Sequence, residues 1–227
     1  MSLVWNKLLG LAEELESVLA ANSQKIYEKG MDRFNQPGWV NRVYANDDYR
    51  RAHIDIVDAR ESKGLWMMHC CIFPQVNNTS PIFGYDVIAG KEKITGFFHD
   101  FSPVCCEDHP MSKHFKETTN TLTWKKERQL PDWALQIFSK DMIAAGNIKA
   151  VDEKDFRNMD IMIKNLKYYI ENVGKYKSNF DFTQTHNKYS HYQKQNPHTP
   201  KAMAALGLNK EDVEIFIKDC LFPEINK

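Results

Sequence analysis

Hydrophobic residues recur at two different intervals along this chain, and the intervals separate predicted helices from predicted strands. Near the start, Leu8, Leu11, Leu15, Val18 and Leu19 are spaced as on one side of an amphipathic helix. Five strand-like runs follow, over residues 39–46, 50–58, 64–73, 81–89 and 93–102. The connections between these runs are too short for crossover helices, so the pattern predicts an antiparallel sheet.

From about residue 110 the pattern changes to helices with irregular connections. Pro131 is expected to begin a helix that continues to Ile137, because proline fits the first helical turn. A longer helix is predicted over 151–173, and a last one over 209–221 with Asn209 as its N-cap. A block of strands with helices around it is typical of an α/β protein, and we predict a three-layer α/β/α sandwich with a central antiparallel sheet.

Composition narrows the class of protein. The 227 residues suit a single domain, 1–227, with a substantial core, and 42% of them are hydrophobic. Lysine plus arginine (30) equals aspartate plus glutamate (30), so bulk charge does not favour nucleic-acid binding. The start lacks the features of a signal peptide, and no apolar run approaches the roughly 20 residues of a membrane span. We expect a cytoplasmic monomer that binds neither nucleic acid nor membrane.

Motifs for several other chemistries are absent from the sequence. The five cysteines form two adjacent pairs, Cys70-Cys71 and Cys105-Cys106, plus Cys220, and this odd count favours reduced thiols. No Cys-x-x-Cys or His-x-x-x-His spacing supports a metal site. The nucleophile motif Gly-x-Ser-x-Gly and the glycine-rich nucleotide loops are also missing, so nucleophilic catalysis and a bound nicotinamide or flavin are disfavoured.

Three ionisable side chains interrupt otherwise apolar strand runs: Asp55, His69 and Asp86. Charge inside a strand is costly unless it is paired or needed for chemistry. Residues i and i+2 of a strand share a face, so His53 lies with Asp55, and all four can converge if their strands are neighbours. Burial would raise the pKa values of the carboxyls and lower those of the histidines. Such a coupled group suits proton delivery near neutral pH, although each residue alone could be a satisfied polar group of the core.

Several stretches resemble a known family. They are His69-Cys70-Cys71-Ile72-Phe73-Pro74, the run Pro81-Ile82-Phe83-Gly84-Tyr85-Asp86-Val87-Ile88-Ala89-Gly90, Asp100-Phe101-Ser102-Pro103, Arg128-Gln129-Leu130-Pro131-Asp132-Trp133, Ile137-Phe138-Ser139, Tyr189 with Gln193 and Asn196, and Leu221-Phe222. Together they resemble the ferredoxin-dependent bilin reductases, most of all the phycocyanobilin:ferredoxin oxidoreductase branch. The resemblance spans roughly residues 39–223.

This resemblance implies a function as well as the α/β/α sandwich. Biliverdin IXα would lie between the sheet and the C-terminal helices. Electrons would arrive singly from a reduced 2Fe–2S ferredoxin, with no cofactor bound by the enzyme and with bilin radicals as intermediates. Ferredoxins are acidic, so a basic docking surface is expected. Candidates are Lys125, Lys126, Arg128, Lys164, Lys167, Lys175 and Lys177.

The resemblance also implies roles for individual residues. Asp86 aligns with the aspartate that protonates the bilin, His69 with its histidine partner, and His53 with a second histidine of the proton network. The substrate would be held by other residues. Arg128 aligns with an arginine that binds a propionate, Thr95 with a hydroxyl residue near the substrate, Asn196 with an asparagine over the ring system, and His198 with a propionate-binding lysine.

One departure bears on the product. Asp55 stands where the phycocyanobilin-forming branch has a glutamate associated with protonation of the D-ring vinyl group, and an aspartate is shorter by about 1.5 Å. A few phage members of this branch resemble the phycocyanobilin enzymes yet form phycoerythrobilin, and this chain resembles that type. We therefore expect reduction to 15,16-dihydrobiliverdin and then to phycoerythrobilin. The alternatives are phycocyanobilin formation, a bilin- or haem-binding module without turnover, and, more distantly, a metal hydrolase.

Overall fold

The computed structural model describes residues 2–226, which contain an antiparallel sheet of eight strands. Neighbouring strands follow the chain in the order β1 to β7, and β8 pairs with β6. The strands are β1 (Gln24–Ile26), β2 (Trp39–Ala45), β3 (Tyr49–Ala59), β4 (Leu65–Pro74), β5 (Ile82–Gly90), β6 (Lys93–Ser102), β7 (Ile143–Ala145) and β8 (Ile148–Lys149). The five predicted runs and their antiparallel pairing are confirmed, whereas β1, β7 and β8 are too short to give an alternating pattern.

Helices cover both faces of this sheet. They are α1 (Leu3–Asn22), α2 (Arg60–Lys63), α3 (Pro110–Thr119), α4 (Glu153–Asn158), α5 (Ile161–Asn172), α6 (Thr183–Gln193), α7 (His198–Ala205) and α8 (Lys210–Ile215). Helices α1, α3 and α5 form one outer layer, and α6, α7 and α8 lie on the other side. The predicted α/β/α sandwich is therefore confirmed. Within residues 2–226, no helix is both long enough and apolar enough to cross a bilayer.

Three helix predictions need correction in detail. The segment after Pro131 forms only a 3-10 turn, Ala134–Gln136, since an exposed Leu135 leaves it without a continuous apolar side. The predicted helix over 151–173 is divided into α4 and α5. Asn209 does cap α8, with its Oδ1 accepting from the Asp212 amide at 2.9 Å, but the chain then forms a π-helical segment, Phe216–Leu221.

The larger core lies between the sheet and the layer of α1, α3 and α5. The helix α1 buries Leu8, Leu15 and Leu19 completely there, as its amphipathic spacing predicts. Each such side chain contributes about 1.5–3 kcal/mol through removal from water. Strand alternation turns every second residue of β3, β4 and β5 toward this core. The other residues of these strands face α6, α7 and the C-terminal segment.

The turn before β2 depends on a glycine. Gly38 has φ +80°, and a Cβ atom there would lie 2.6 Å from the Asp58 carbonyl oxygen. The Gly38 carbonyl in turn accepts from the Asp58 amide at 2.5 Å. The absence of a side chain thus lets the turn contact the end of β3 and sets the position of Trp39, the next residue.

We expect Gly38→Ala to destabilise the protein by on the order of 3 kcal/mol, because left-handed strain and steric overlap add together. Gly30→Ala is the matched control. Gly30 has φ +93°, but a methyl group added there would meet no atom within 4 Å, so strain alone applies and the cost is about 1–2 kcal/mol. Urea unfolding of both variants measures the difference, and equal costs would show that the contact with Asp58 is unimportant.

Candidate active site

The strand register places the ionisable residues in one row across the sheet. Asp55 lies directly opposite His69, and His69 lies opposite Asp86. Asn41 continues the row on β2, and Phe98 continues it on β6. Their side chains share the face that looks toward α6 and α7, because residues paired across an antiparallel sheet point to the same side. The structure therefore brings together three strand residues that were singled out from sequence.

A cavity of about 460 Å³ lies over this row. Asp55, His69, Asp86 and Phe98 form its floor. The remaining lining comes from β4 and β5, the segment around residues 128–142, the end of α6, the start of α7 and the C-terminal segment: Met67, Met68, Val87, Ile88, Arg128, Gln129, Leu130, Pro131, Trp133, Ala134, Phe138, Met142, Gln193, Gln195, Asn196, Pro197, His198, Thr199, Ala202, Met203, Leu221 and Phe222. Mostly apolar walls over a polar floor are typical of a site for a large organic ligand.

His69 and Asp86 form a hydrogen-bonded pair on the floor. His69 Nδ1 lies 3.0 Å from Asp86 Oδ1, and the side chains are 9% and 46% exposed. Burial lowers the pKa of His69, but the charge of Asp86 and its hydrogen bond outweigh burial, so the pKa is raised above 6.5. Burial thus acts on His69 in the expected direction, but the net shift of its pKa is upward because Asp86 lies beside it. This pair can hold a proton that faces the cavity.

His53 lies behind the floor and does not line the cavity. Its Nε2 is 3.0 Å from Asn41 Oδ1, and its ring centroid is 6.1 Å from that of His69. An amide oxygen only accepts, so the neutral ring carries its proton on Nε2. Complete burial, with the nearby charge of Arg51, lowers the pKa of His53 well below 6.5. His53 is thus a neutral group that can influence a cavity ligand only through its neighbours.

Asp55 is the most enclosed acid of the floor. It is 4% exposed, and its Oδ1 accepts from the indole Nε1 of Trp39 at 2.6 Å. Burial raises the pKa of Asp55 to about 6, against the opposing effects of the Trp39 hydrogen bond and the charge of His69. Asp55 can therefore be protonated or ionised near neutral pH. Sequence reasoning missed Trp39, because only the pairing of β2 with β3 brings the two residues together.

Arg128 lies at one edge of the cavity. Its Nη2 donates to the Thr95 carbonyl, and its guanidinium lies 5.7 Å from the centre of the Phe98 ring. Gly146 makes room for it, since a Cβ there would be 2.6 Å from Arg128 Nε. Arg128 also lines a second cavity of about 250 Å³ with Lys93, Thr95, Lys126, Gly146 and Asn147. The side chain thus separates the two cavities.

Thr95 is not part of the main cavity. Its hydroxyl donates to the Ile88 carbonyl at 3.0 Å, and it lines only the smaller cavity. The sequence-based placement of Thr95 beside the substrate therefore lacks support from the geometry. The reason is local: the register of β5 with β6 shifts between Ile88 and Ala89, which changes the direction of the neighbouring β6 residues.

Asn196 and His198 line the main cavity at the start of α7. Asn196 Oδ1 accepts from the His198 amide at 3.0 Å, which fixes the start of α7. This bond leaves the Asn196 amide nitrogen as a donor toward a ligand. Gln193 is held as well, since its Nε2 donates to the Tyr189 hydroxyl at 2.8 Å.

Two buried polar anchors hold the remaining walls. Arg51 donates to both carboxylate oxygens of Glu28 at 2.8 Å and to the Cys220 carbonyl at 2.6 Å, which fixes the C-terminal segment. Phe222, two residues later, packs with its ring centroid 5.5 Å from that of His69. At the other wall, Asp100 accepts from the Ser139 amide at 3.0 Å and holds the chain that follows Phe138.

Within residues 2–226 there is no group of three or more histidine, cysteine, aspartate or glutamate side chains that could hold a metal ion. The five cysteines are free thiols, and Cys105 Sγ lies 3.3 Å from Cys106 Sγ at the surface.

The fold and the cavity together define an α/β/α protein with a large, mostly apolar cavity over a row of ionisable strand residues. The chain belongs to the ferredoxin-dependent bilin reductase family, whose sequence model matches residues 10–223. The family assignment made from sequence is thereby confirmed.

Curated relatives match about half of the chain. Phycocyanobilin:ferredoxin oxidoreductase of Synechococcus sp. (strain CC9902) is 34% identical over 101 residues, which cover 44% of this chain and 40% of that protein. The protein of the same name from Prochlorococcus marinus (strain MIT 9313) is 33% identical over 99 residues, which cover 44% of this chain and 36% of the relative. The matched region thus spans well under two thirds of these relatives.

Solved structures match along nearly the whole chain. A structure of PcyX is 35% identical, with a TM-score of 0.72, and the match covers 96% of this chain and 99% of PcyX. Phytochromobilin synthase from tomato, solved in complex with biliverdin, has a TM-score of 0.73 over 98% of this chain and 85% of that chain. Its identity is 13%, so this second match shows a shared fold.

We expect Asp55→Asn to stabilise the protein at pH 7.5 by about 2–3 kcal/mol and to have little effect near pH 4. Folding raises the pKa of Asp55 from 3.8 to about 6, so the folded protein keeps a proton that the unfolded chain releases between these values. Wild-type stability therefore falls as pH rises from about 4 to about 6, and the variant escapes this loss. Urea unfolding at the two pH values measures it.

Asp58→Asn is the control for this prediction. Hydrogen bonds from Arg60 lower the pKa of the partly exposed Asp58 carboxyl, so its pH effect should be small and of opposite sign. A pH-independent gain from Asp55→Asn would contradict the assignment of a buried, proton-holding acid.

Proposed function

We propose that this protein reduces biliverdin IXα to phycoerythrobilin through 15,16-dihydrobiliverdin, using single electrons from reduced ferredoxin. The observation that carries the proposal is the hydrogen-bonded pair of His69 and Asp86 on the floor of a large, mostly apolar cavity. Family membership and the likeness to PcyX support it.

The cavity suits an open-chain tetrapyrrole. Apolar walls favour the pyrrole rings, whereas the carboxylates of two propionates need cations near the opening. Arg128, His198 and Asn196 all line the cavity. We assign propionate binding to Arg128 and assign His198 and Asn196 to the opposite side of the ligand. Thr95 would contact the ligand only if Arg128 moved away from the Thr95 carbonyl.

The paired groups suit proton-coupled reduction. Each electron added to a bilin makes its nitrogen and carbon atoms more basic, so a nearby acid must supply a proton. Asp86 is the more exposed member of the pair and faces the ligand, and His69 can replace its proton through the 3.0 Å contact. His53 is neutral, so it adds no second positive charge beside His69. Over the whole reaction, biliverdin takes up four electrons and four protons, which gives phycoerythrobilin.

Two acids beside one histidine suit a product that requires two reductions. Asp86 and Asp55 lie opposite His69 on either side of β4, so they face different parts of a ligand that extends across the strands. We assign the second proton-delivery position to Asp55. Phycocyanobilin is the alternative product, because the curated relatives are named phycocyanobilin:ferredoxin oxidoreductases and Asp55, like the glutamate that the sequence resemblance implies for that branch, is an acid.

A basic edge beside the cavity is the proposed ferredoxin surface. Lys93, Lys126 and Arg128 surround the smaller cavity, and both lysines are exposed. Three of the other lysines named from sequence form ion pairs within the chain. Lys125 pairs with Asp152, Lys167 with Glu14 and Lys177 with Asp48. An acidic partner at this edge would lie next to Arg128 and hence close to the bound ligand.

The deciding experiment is anaerobic turnover of biliverdin IXα with reduced ferredoxin, with chromatographic separation of the products. The wild type should form phycoerythrobilin, preceded by 15,16-dihydrobiliverdin. Asp86→Asn should bind biliverdin normally but lose at least about 100-fold in rate, because it lacks the donor proton. Asp58→Asn, on the same sheet but outside the cavity, should behave as wild type. Wild-type binding without reduction would support the binding-module alternative, and phycocyanobilin would overturn the product assignment.

Gly146→Ala should weaken biliverdin binding by on the order of 10-fold, or about 1.4 kcal/mol, because the added methyl would displace Arg128 from its position. Binding is measured by absorbance titration without ferredoxin. Gly10→Ala is the control, since an added methyl there meets no atom within 4 Å. Unchanged affinity in Gly146→Ala would exclude Arg128 as a propionate ligand.

A further inference from the structure

We propose that Trp39 is the positioning residue that directs the Asp55 proton into the cavity and so helps to decide which bilin carbon is protonated. This inference rests on the proposed function. It adds a residue that has no direct contact with the cavity and whose role would be exerted entirely through Asp55.

The indole favours one oxygen of Asp55 as the carrier of the proton. Trp39 Nε1 donates to Asp55 Oδ1 at 2.6 Å, and an indole nitrogen can only donate. Oδ1 is therefore an accepting oxygen, and because the carbonyl oxygen of a carboxylic acid accepts better than its hydroxyl oxygen, this bond favours the hydroxyl on Oδ2. Oδ2 forms no hydrogen bond with any group of residues 2–226, and Asp55 lines the cavity. A proton on Oδ2 would be free of hydrogen bonds to the protein and available to a molecule in the cavity.

Trp39 itself is held rigidly. It is 2% exposed, and its ring packs edge-to-face on Phe216 at 5.1 Å between centroids. Its backbone exchanges hydrogen bonds with Gln36 at 2.8 and 2.9 Å in the turn that contains Gly38. The indole cannot follow the carboxyl if Asp55 rotates, so the carboxyl must adopt the orientation that the indole sets.

Other groups around Asp55 do not substitute for this contact. His69 on β4 and Asp86 on β5 act on Asp55 through charge, and they bond to each other. The Cys220 thiol of the C-terminal segment also lies within electrostatic range, and His53 on β3 bonds to Asn41. Trp39 is the described side chain that donates a hydrogen bond to Asp55.

Removing the indole N–H should have two separable effects. The carboxyl becomes free to rotate, so its O–H group no longer points in a single direction. Loss of the donor also raises the pKa of Asp55 further, because the hydrogen bond with Trp39 favours the ionised form. The alkaline limb of the pH dependence of the turnover rate should therefore move to higher pH. The yield of phycoerythrobilin, the product assigned to protonation by Asp55, should fall.

The test compares Trp39→Phe with Trp66→Phe. Trp66 is a matched control, because it is equally buried, lies on the opposite face of the sheet, and has an indole nitrogen without a hydrogen-bond partner among the described residues. We expect Trp39→Phe to bind biliverdin within about 2-fold of wild type, to lose on the order of 10-fold in the ratio of phycoerythrobilin to 15,16-dihydrobiliverdin, and to shift the alkaline limb upward by about one pH unit. Trp66→Phe should do none of these.

A readout without turnover separates this proposal from the proposed function. The infrared carbonyl band of protonated Asp55, identified by its loss in Asp55→Asn, should titrate at higher pH in Trp39→Phe than in wild type. If Trp39→Phe fails to fold, 3-benzothienylalanine at position 39 keeps the ring volume and lacks the N–H. An unchanged carboxyl titration and product ratio in a folded variant, or equal changes in Trp66→Phe, would overturn the proposal.

Discussion

The antiparallel register of β2 to β5 is the constraint on which the site depends. Strand side chains alternate between faces, so the register that aligns Asp55, His69 and Asp86 also places Ile54 and Cys70 opposite each other in the core. A slip of one residue would bury the acids among α1 and α5 and expose the hydrophobic residues. Hydrophobic burial on one face of the sheet therefore fixes the geometry of proton-holding groups on the other face.

Neighbouring members of one row acquire different properties from small differences in surroundings. Asp86 is partly open to the cavity and paired with His69, whereas Asp55 is enclosed and bonded to an indole. His53, one row away, is sealed from the cavity and stays neutral. Asp55 and His53, two residues apart on one strand, thus have pKa values shifted in opposite directions, because burial raises that of the carboxyl and lowers that of the imidazole.

The parts of the fold with a clear hydrophobic periodicity could be predicted from the sequence. The five long strands, α1 and the Asn209 cap followed from local pattern, and so did the convergence of Asp55, His69 and Asp86. The segment after Pro131 did not, because Leu135 is exposed in the folded protein and the segment has no continuous apolar side. Trp39 and Thr95 depend on pairing register and a local irregularity, which a single sequence does not encode in its periodicity.

The π-helical segment Phe216–Leu221 fixes the direction in which the next residue, Phe222, points. Because each residue of an ordinary helix turns the chain by about 100°, the number of residues between Asn209 and Phe222 sets whether Phe222 faces His69. Exposed positions such as Lys218 and Asp219 can vary in identity with little effect on that direction. A single inserted or deleted residue would turn Phe222 away from His69. In this region an insertion or deletion is therefore far less tolerable than a substitution.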